Sequence, residues 1–355
     1  MLELLILIAV LVGIIAVGKV IRVMELASSL KGENSWQATD RDHKNQARLM
    51  PIFLLAYFAF IIWQIVEWGG EALPVSASEH GVVIDQLMDT TWIIIIPVFI
   101  VTHILLFYFA WKYAYNSKRK ATYFAHNNKL ELLWTAVPAL VLLILILYGL
   151  NIWNNVMEPL TAEDEPVEIE LYARQFDWTA RYPGADKKFG DAGVRFIEGV
   201  NFLGMDSTDQ DGWDDKYVKA EFYLPVDTPV QFYFRAQDVI HSAYMPHFRA
   251  QMNCVPGMVT RFNFKPTKTT AEMKEITGKE DFEYYLLCNK ICGAAHYNMK
   301  MVIKVVEQDE YDTWLSEQKE FLAVEGMQEE PSSDDPVETD STQTNIEEEE
   351  LSAQL

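Results

Sequence analysis

The sequence predicts a membrane-anchored all-β protein, with transmembrane α-helices first and an antiparallel β-sandwich or barrel after them. Three observations carry this. Four long apolar runs crowd the first 153 residues, and short alternating segments broken by Pro and Gly follow. A formal net charge of -22 coexists with a 50% apolar composition, so apolar and acidic residues must occupy different parts of the chain. The expected organisation is a membrane anchor with four transmembrane helices over 1–154, a β domain over 155–309, a C-terminal helix over 310–325 and an acidic disordered tail over 326–355.

The apolar runs are Leu2 to Ile21, Pro51 to Val66, Trp92 to Trp111 and Trp134 to Trp153. A bilayer core takes about 20 apolar residues per helix. The second run reaches that length when Leu49, Met50, Glu67 and Trp68 are counted at its edges. Trp63, Trp68, Trp92, Trp111, Trp134 and Trp153 fall at or near run ends, where an interfacial aromatic belt belongs. Lys19, Arg22, Lys31, Arg41, Lys44 and Arg48 make the first connection basic, and Lys112, Lys118, Arg119, Lys120 and Lys129 make the third so. The second, from Glu67 to Thr91, has no Lys or Arg. Basic loops stay inside, which places everything after Trp153 outside. The alternative for the first run is a cleaved signal peptide. It lacks a basic segment before it and a clear small-residue cleavage site after it, and its removal would reverse the later topology.

Beyond Trp153, Val167–Ala173, Tyr217–Leu224, Val230–Arg235, Met258–Phe264, Phe282–Leu287 and Met301–Val306 read as strands. Pro183-Gly184, Pro225, Pro256-Gly257 and Pro266 mark turns between them. Val230, Phe232 and Phe234 share one face, and Gln231, Tyr233 and Arg235 share the other. Lys187–Asp215 reads as a Gly/Asp-rich surface loop, and Glu310–Leu322 as a helix striped by Tyr311, Trp314, Leu315 and Leu322. From Gly326 onward there are ten carboxylates and no Lys or Arg, the composition of a solvated disordered tail.

The chemistry lies in Cys288-Asn-Lys-Ile-Cys292-Gly-Ala-Ala-His296-Tyr-Asn-Met299, spaced C-x3-C-x3-H-x2-M on one inter-strand loop. His241 follows a strand upstream, in Asp238-Val-Ile-His241. Two thiolates, two imidazoles and a thioether form a soft set suited to copper. A mononuclear blue site uses one Cys, two His and a weak axial Met. A second Cys lets two thiolates bridge two ions, with one His for each and Met299 as a weak ligand on one. The alternatives are a Cys288–Cys292 disulfide and a structural zinc site, which has no use for Met299. His247 and Cys254 read as structural. His103, inside a membrane run, is a functional candidate that a buried hydrogen bond to a neighbouring helix explains equally well.

At these residues the chain resembles cytochrome c oxidase subunit II, over roughly Lys118 to Leu315. Asn128-Lys-Leu-Glu131-Leu-Leu-Trp134-Thr135-Ala-Val-Pro138 resembles the family's approach to its last membrane helix. Asp238-Val-Ile-His241-Ser with Pro246 and Pro256-Gly257 resembles its first copper-ligand segment, and Cys288–Met299 the rest of its CuA site. The resemblance implies a cupredoxin-like Greek-key domain. It implies dinuclear CuA held by His241, Cys288, Cys292, His296, Met299 and the backbone carbonyl of Lys290. It also places Glu131 at a proton-uptake entrance, for which a water-exposed interfacial carboxylate is the plain alternative.

Three departures stand out. The family usually carries Glu between the cysteines, on a magnesium ion shared with subunit I. Lys290 stands here, and an ammonium has no lone pair to donate, which puts the magnesium in question. Arg174-Gln175-Phe176-Asp177-Trp178 puts Phe176 where the family has its electron-receiving Trp, leaving Trp178 as the other candidate for electron entry into the domain. The usual member has two membrane helices, and four are expected here.

The seven histidines, two of them assigned to copper, leave no set for haems and a further copper in the membrane. Haems and CuB are therefore expected on subunit I. The resulting expectation is the electron-inlet subunit of a terminal oxidase in a bacterial inner membrane, with its C-terminal domain periplasmic. Its expected partners are subunit I, further membrane subunits, and cytochrome c or a membrane-fixed c-type haem donor. The acidic balance excludes nucleic acid. The competing functions are a membrane-anchored copper chaperone or thiol–disulfide protein, and a quinol-oxidase subunit that keeps the fold without copper, against which the complete ligand set argues.

Overall fold

A computed structural model of the chain describes residues 2–30, 38–123 and 125–321. They form two compact units. The first holds four long helices: α1 (Leu2–Leu30), α2 (Asp40–Trp68), α3 (Glu79–Lys112) and α4 (Asn128–Val156). The helices from Asp40, Glu79 and Asn128 are long and apolar enough to cross a membrane. Their apolar side chains point outward, with Leu55, Ile93 and Leu132 each about two-thirds exposed or more. Such a surface is stable against lipid rather than water. The α1 helix is present over the first apolar run, and Ile8 to Ile21 also face outward.

Capping residues fix the starts of α2 and α3. Thr39 and Asp42 exchange side-chain and backbone hydrogen bonds in a capping box that opens α2. Ser78 accepts from the Gly81 N–H at the start of α3 and donates to the Phe248 carbonyl. His103 rests between Phe99 and Tyr57, with its Nδ1 2.8 Å from the Phe99 carbonyl. Those contacts give it a structural place. Residues 245–250 and 263–268 also belong to this unit. Arg249 forks onto the Asp85 carboxylate at 2.8 and 2.9 Å, and Lys265 pairs with Glu79.

The second unit is built on two five-stranded sheets. The strands are β1 (Val167–Arg174), β2 (Asp177–Tyr182), β3 (Lys216–Val218), β4 (Glu221–Pro225), β5 (Val230–Ala236), β6 (His241–Met245), β7 (Ala250–Cys254), β8 (Thr260–Phe264), β9 (Tyr284–Cys288) and β10 (Lys300–Val306). One sheet has the order β3-β2-β1-β5-β8 and the other β4-β10-β9-β6-β7. Both are mixed: β1 runs parallel to β5 and β4 parallel to β10, while the remaining registered pairs are antiparallel. The alternation in β5 holds for its apolar face, since Val230, Phe232 and Phe234 are fully buried.

One expected strand needs correction, and three further strands are found. Tyr217–Leu224 is two strands at the edges of different sheets. The chain turns at Ala220, whose φ is 70°, and the apolar alternation runs through that corner unmarked. Strands β2, β6 and β7 are not marked in the sequence. Five of the six residues of β2 are buried, so it shows no alternation. Pro246 and a short 3-10 turn separate β6 from β7 and hide both.

Helix α5 (Thr270–Thr277) lies between β8 and β9, and of the helix expected over Glu310–Leu322 the described residues form α6, Gln308–Glu317. Beyond it the backbone is extended at Gln318, Glu320 bridges to Lys216, and Phe321 is buried. Burial of Phe321 against the β domain takes the place of another helical turn. Leu322 and the acidic segment from Gly326 lie outside the described residues.

Lys187–Asp215 is more than a surface loop. Leu203 and Met205 pack with Tyr172 and Phe321 in a buried cluster of their own. Beneath it, Glu170 accepts from Arg181 at 3.0 Å and from Arg235 at 3.0 and 3.1 Å. Arg181 also reaches Asp215 at 3.2 Å, and Asp215 has no exposed surface. Burial pushes the Asp215 carboxyl up to about 7, against the pull of Arg181 and the Gly190 N–H.

Candidate metal centre

The sheet pair sets both ends of the ligand loop. Strands β9 and β10 pair antiparallel with Leu287 opposite Lys300, and the Cys288 N–H donates to the Met299 carbonyl at 3.0 Å. On the other side of β9, Ala243 of β6 pairs with Cys288, and the Asn289 N–H donates to the Ser242 carbonyl. His241 begins β6, so the ladder that fixes Cys288 also fixes His241.

The five side chains expected as ligands form one continuous cluster. His241 Nδ1 lies 3.8 Å from Cys288 Sγ, which lies 3.8 Å from Cys292 Sγ. Cys292 Sγ is 3.6 Å from His296 Nδ1 and 3.8 Å from Met299 Sδ. The Lys290 carbonyl turns inward, 3.3 Å from Cys288 Sγ. His241, Cys288 and Cys292 form a potential metal-binding group by the mutual distances of their ligand atoms.

These spacings fit metal ligation. Nitrogen and sulfur ligands at bond lengths of about 2.0–2.3 Å around a tetrahedral ion lie about 3.3–3.8 Å from each other. A disulfide would bring the sulfurs to about 2.05 Å, and both cysteines are free thiols. Burial and the neighbouring Cys288 thiol push the Cys292 thiol up to about 11. Two adjacent thiolates therefore need a cation to hold them, and soft N and S donors suit copper. Cys254 is separate: it is fully buried, and burial pushes its thiol up to about 12.

Residues around the cluster orient it. Asp238 Oδ1 is 2.8 Å from His241 Nε2, which leaves Nδ1 free to face the sulfur. Burial would raise the Asp238 carboxyl, but hydrogen bonds from the Gln175 N–H, the His241 ring and the Val239 N–H hold it below the usual carboxylate range. Its second oxygen accepts from the Gln175 N–H at 2.7 Å, and the Gln175 side-chain amide donates to the Cys292 carbonyl. The corner between β1 and β2 is thus tied to two parts of the site. In the sequence Asp238 stands only as part of a motif, and nothing marks Gln175. An Asp three residues before a ligand His was the available signal for the first, and Gln175 had none.

Phe176, half-buried, lies on the ligand loop. A Cβ on Gly293 would stand 2.8 Å from the Phe176 ring and from the Gln175 amide, and Gly293 has φ of 142°. Only glycine meets both demands there. Trp178 is 1% exposed, with its ring centroid 6.3 Å from that of His241 and its Nε1 3.4 Å from the Met299 carbonyl. It therefore packs inside the domain, behind Phe176 in exposure. Glu131 lies in the first turn of α4, where its carboxylate accepts from the Asn127 N–H. His247 is not in the ligand group.

Comparison with known proteins decides the family. The model for the transmembrane domain of cytochrome c oxidase subunit II matches residues 54–152, and the model for its periplasmic domain matches residues 168–306. The chain belongs to the cytochrome c oxidase subunit II family. An alternative cytochrome c oxidase subunit 2 from Bradyrhizobium diazoefficiens is 32% identical over 253 residues, covering 70% of this chain and 85% of that protein. The Cereibacter sphaeroides cytochrome c oxidase subunit 2 is 27% identical over 259 residues, covering 70% and 80%. Among solved structures, the periplasmic domain of subunit II from Bradyrhizobium japonicum is 25% identical, with 42% of this chain and 91% of that chain covered and a TM-score of 0.29. The chain is thus one subunit of a haem–copper oxidase, a membrane protein with a C-terminal domain of the periplasmic type. CuA is the cofactor of this family, and the cluster of soft donors fits it.

Proposed function

We propose that this chain is the electron inlet of its oxidase. In this reading His241, Cys288, Cys292, His296, Met299 and the Lys290 carbonyl hold CuA. Electrons arrive from cytochrome c or a membrane-fixed c-type haem donor at the Phe176 corner and leave for subunit I. There oxygen is reduced to water with proton translocation. Held by these residues, the centre would supply one-electron storage and transfer, and the soft donors would suit copper in either charge state.

The observation that carries this reading is the unbroken donor chain, with two sulfurs 3.8 Å apart and an imidazole Nδ1 beside each. The protein's own groups do the rest. Asp238 holds the His241 ring, Trp178 fills the space behind it, and burial of Cys292 and Met299 keeps water out. The orientation that puts this domain outside a bacterial inner membrane follows from the basic first and third connections. In this reading the chain divides into a membrane anchor over 1–154, the copper domain over 155–309, a segment with α6 over 310–325 and an acidic segment over 326–355.

The test is copper-loading of the full chain in detergent, with metal analysis and electron paramagnetic resonance. Two coppers per chain sharing one spin are expected. One copper, or zinc, or a redox-active disulfide without copper would instead favour the chaperone or thiol–disulfide reading.

A further inference from the structure

We propose that the lobe over residues 192–205 is a docking face for the electron donor, and that the donor it fits is the c-type haem domain of a permanently associated membrane partner. This deepens the electron-inlet reading and rests on it.

The lobe is an excursion within the 187–215 insertion, closed at its neck. Ala192 bridges to Met205, and the Gly193 N–H donates to the Gly204 carbonyl at 2.7 Å. A Cβ on Gly204 would stand 2.3 Å from the Gly193 carbonyl oxygen, and the φ of Gly204 is 64°, so glycine alone closes the neck this tightly. Inside the lobe the Asn201 amide donates to the Phe196 and Met205 carbonyls at 2.9 and 2.8 Å and accepts from the Met205 N–H at 2.9 Å. The buried ionic cluster roots it from below. Arg235 donates to the Leu203 carbonyl at 3.0 Å, and Arg181 to the Gly190 carbonyl at 3.1 Å. The lobe therefore has a fixed shape before any partner arrives.

Its outer surface is apolar. Val194 is 71% exposed, Val200 55% and Phe196 41%. The chain as a whole has a net charge of -22, yet the fourteen residues 192–205 include only Arg195 and Glu198 as charged side chains. Large apolar side chains held in water by a rigid support add nothing to the domain's own stability, and their concentration on one lobe marks an interaction surface.

Position and charge name the partner. Phe202, two residues after Val200, receives Lys219 at 4.2 Å and Arg174 at 5.1 Å from its ring centroid. Both cations reach the Asp177 carboxylate at 3.9 Å, and Asp177 follows Phe176 directly. The lobe is thus continuous with the corner where the electron-inlet reading has electrons arrive. Partners that come and go are steered by charge, and salt weakens them, whereas permanent interfaces draw on apolar burial. A neutral apolar lobe beside cations that share a carboxylate belongs to the second kind. Its occupant is a haem domain held in place by apolar contact.

The experiment uses the oxidase complex purified in mild detergent from its own membranes. Three forms are compared: wild type, Val194→Ser with Phe196→Ser and Val200→Ser, and Ile276→Ser, which removes an apolar side chain 53% exposed on α5. Haem that stays covalently attached on denaturing gels is measured per copper centre, after washing at low and at high salt. The rate at which that haem, once reduced, is oxidised on mixing with oxygen is measured too. An uncharged small organic electron donor reports on the copper centre alone. Wild type and Ile276→Ser should keep stoichiometric covalent haem at both salt levels and oxidise it. The triple variant should retain about tenfold less, with the copper resonance spectrum and the rate with the small donor unchanged. Full retention in the triple variant overturns the proposal. So does a wild-type complex that has no covalent haem, or that loses it at high salt. Loss in Ile276→Ser also overturns it, because the effect would not belong to the lobe. A triple variant that instead loses the oxygen-reducing subunit, or falls from dimer to monomer, gives the lobe to another occupant and overturns it as well. A wild-type complex that lacks the two-copper signal, or does not oxidise the small donor, defeats the electron-inlet reading beneath it.

Discussion

The β domain holds two buried polar constellations that solve the same problem in opposite ways. The cluster of His241, Cys288, Cys292, His296 and Met299 leaves its donor atoms facing one another with no protein cation among them. The cluster of Glu170, Arg181, Asp215 and Arg235 closes on itself with two cations and two carboxylates. The first needs a cation from outside, whereas the second pairs its charges internally, although Arg181 Nε and Asp215 Oδ1 are left without a hydrogen-bond partner. Burying polar groups is costly unless each finds a partner. An open cluster of soft donors therefore marks a function, while a closed ionic cluster marks architecture.

Removing one member should separate the two most sharply in the ionic cluster. Arg181→Met leaves Asp215 without a cation and Glu170 with Arg235 alone. Losing one partner of a buried pair typically costs about 3–5 kcal/mol. Chemical denaturation of the β domain within the full chain should show that loss, while copper bound per folded chain stays the same. A loss under about 1 kcal/mol would mean that Asp215 is neutral as folded and that the cluster is looser than its distances.

The copper cluster should respond in affinity more than in stability. Asp238→Ala removes the acceptor of His241 Nε2 and of the Gln175 N–H. Groups that orient metal-bound histidines contribute about 10–100-fold to metal affinity. Competition with a copper chelator should show a loss in that range, with the thermal midpoint of the metal-free protein changed little. Equal affinity would show that the β6 ladder alone holds His241.

The same contrast explains what could be read from the sequence. The ligand loop was legible because its four side chains sit at fixed short spacings between two strands, and His241 came with an Asp-x-x-His segment. The apolar helices were legible from length, and β5 from alternation. The ionic cluster was not legible: Glu170, Arg181, Asp215 and Arg235 are ordinary charged residues scattered across 65 positions, joined only by folding. The insertion over 187–215 has the composition of a surface loop for the same reason, since Leu203 and Met205 gain a core only through Tyr172 and Phe321. Buried strands without alternation, β2 above all, escape any period-two reading.

The smallest effect tests the fully buried His241 against the half-buried His247. His241 faces the Asp238 carboxylate, whereas His247 has burial and the Arg249 guanidinium against its protonation, which push it down to about 4. A histidine whose folded value lies below its unfolded value of about 6.5 contributes stability that is fully present above pH 6.5. That contribution is lost as the pH falls from about 6.5 to about 4, because the unfolded chain takes up the proton first. The slope is at most about 1.4 kcal/mol per pH unit for one group. Thermal unfolding of the detergent-solubilised chain should therefore weaken over this interval, and His247→Gln should flatten part of that decline. An unchanged profile in the variant would place the acid sensitivity elsewhere and show that His247 is already protonated without cost in the folded protein.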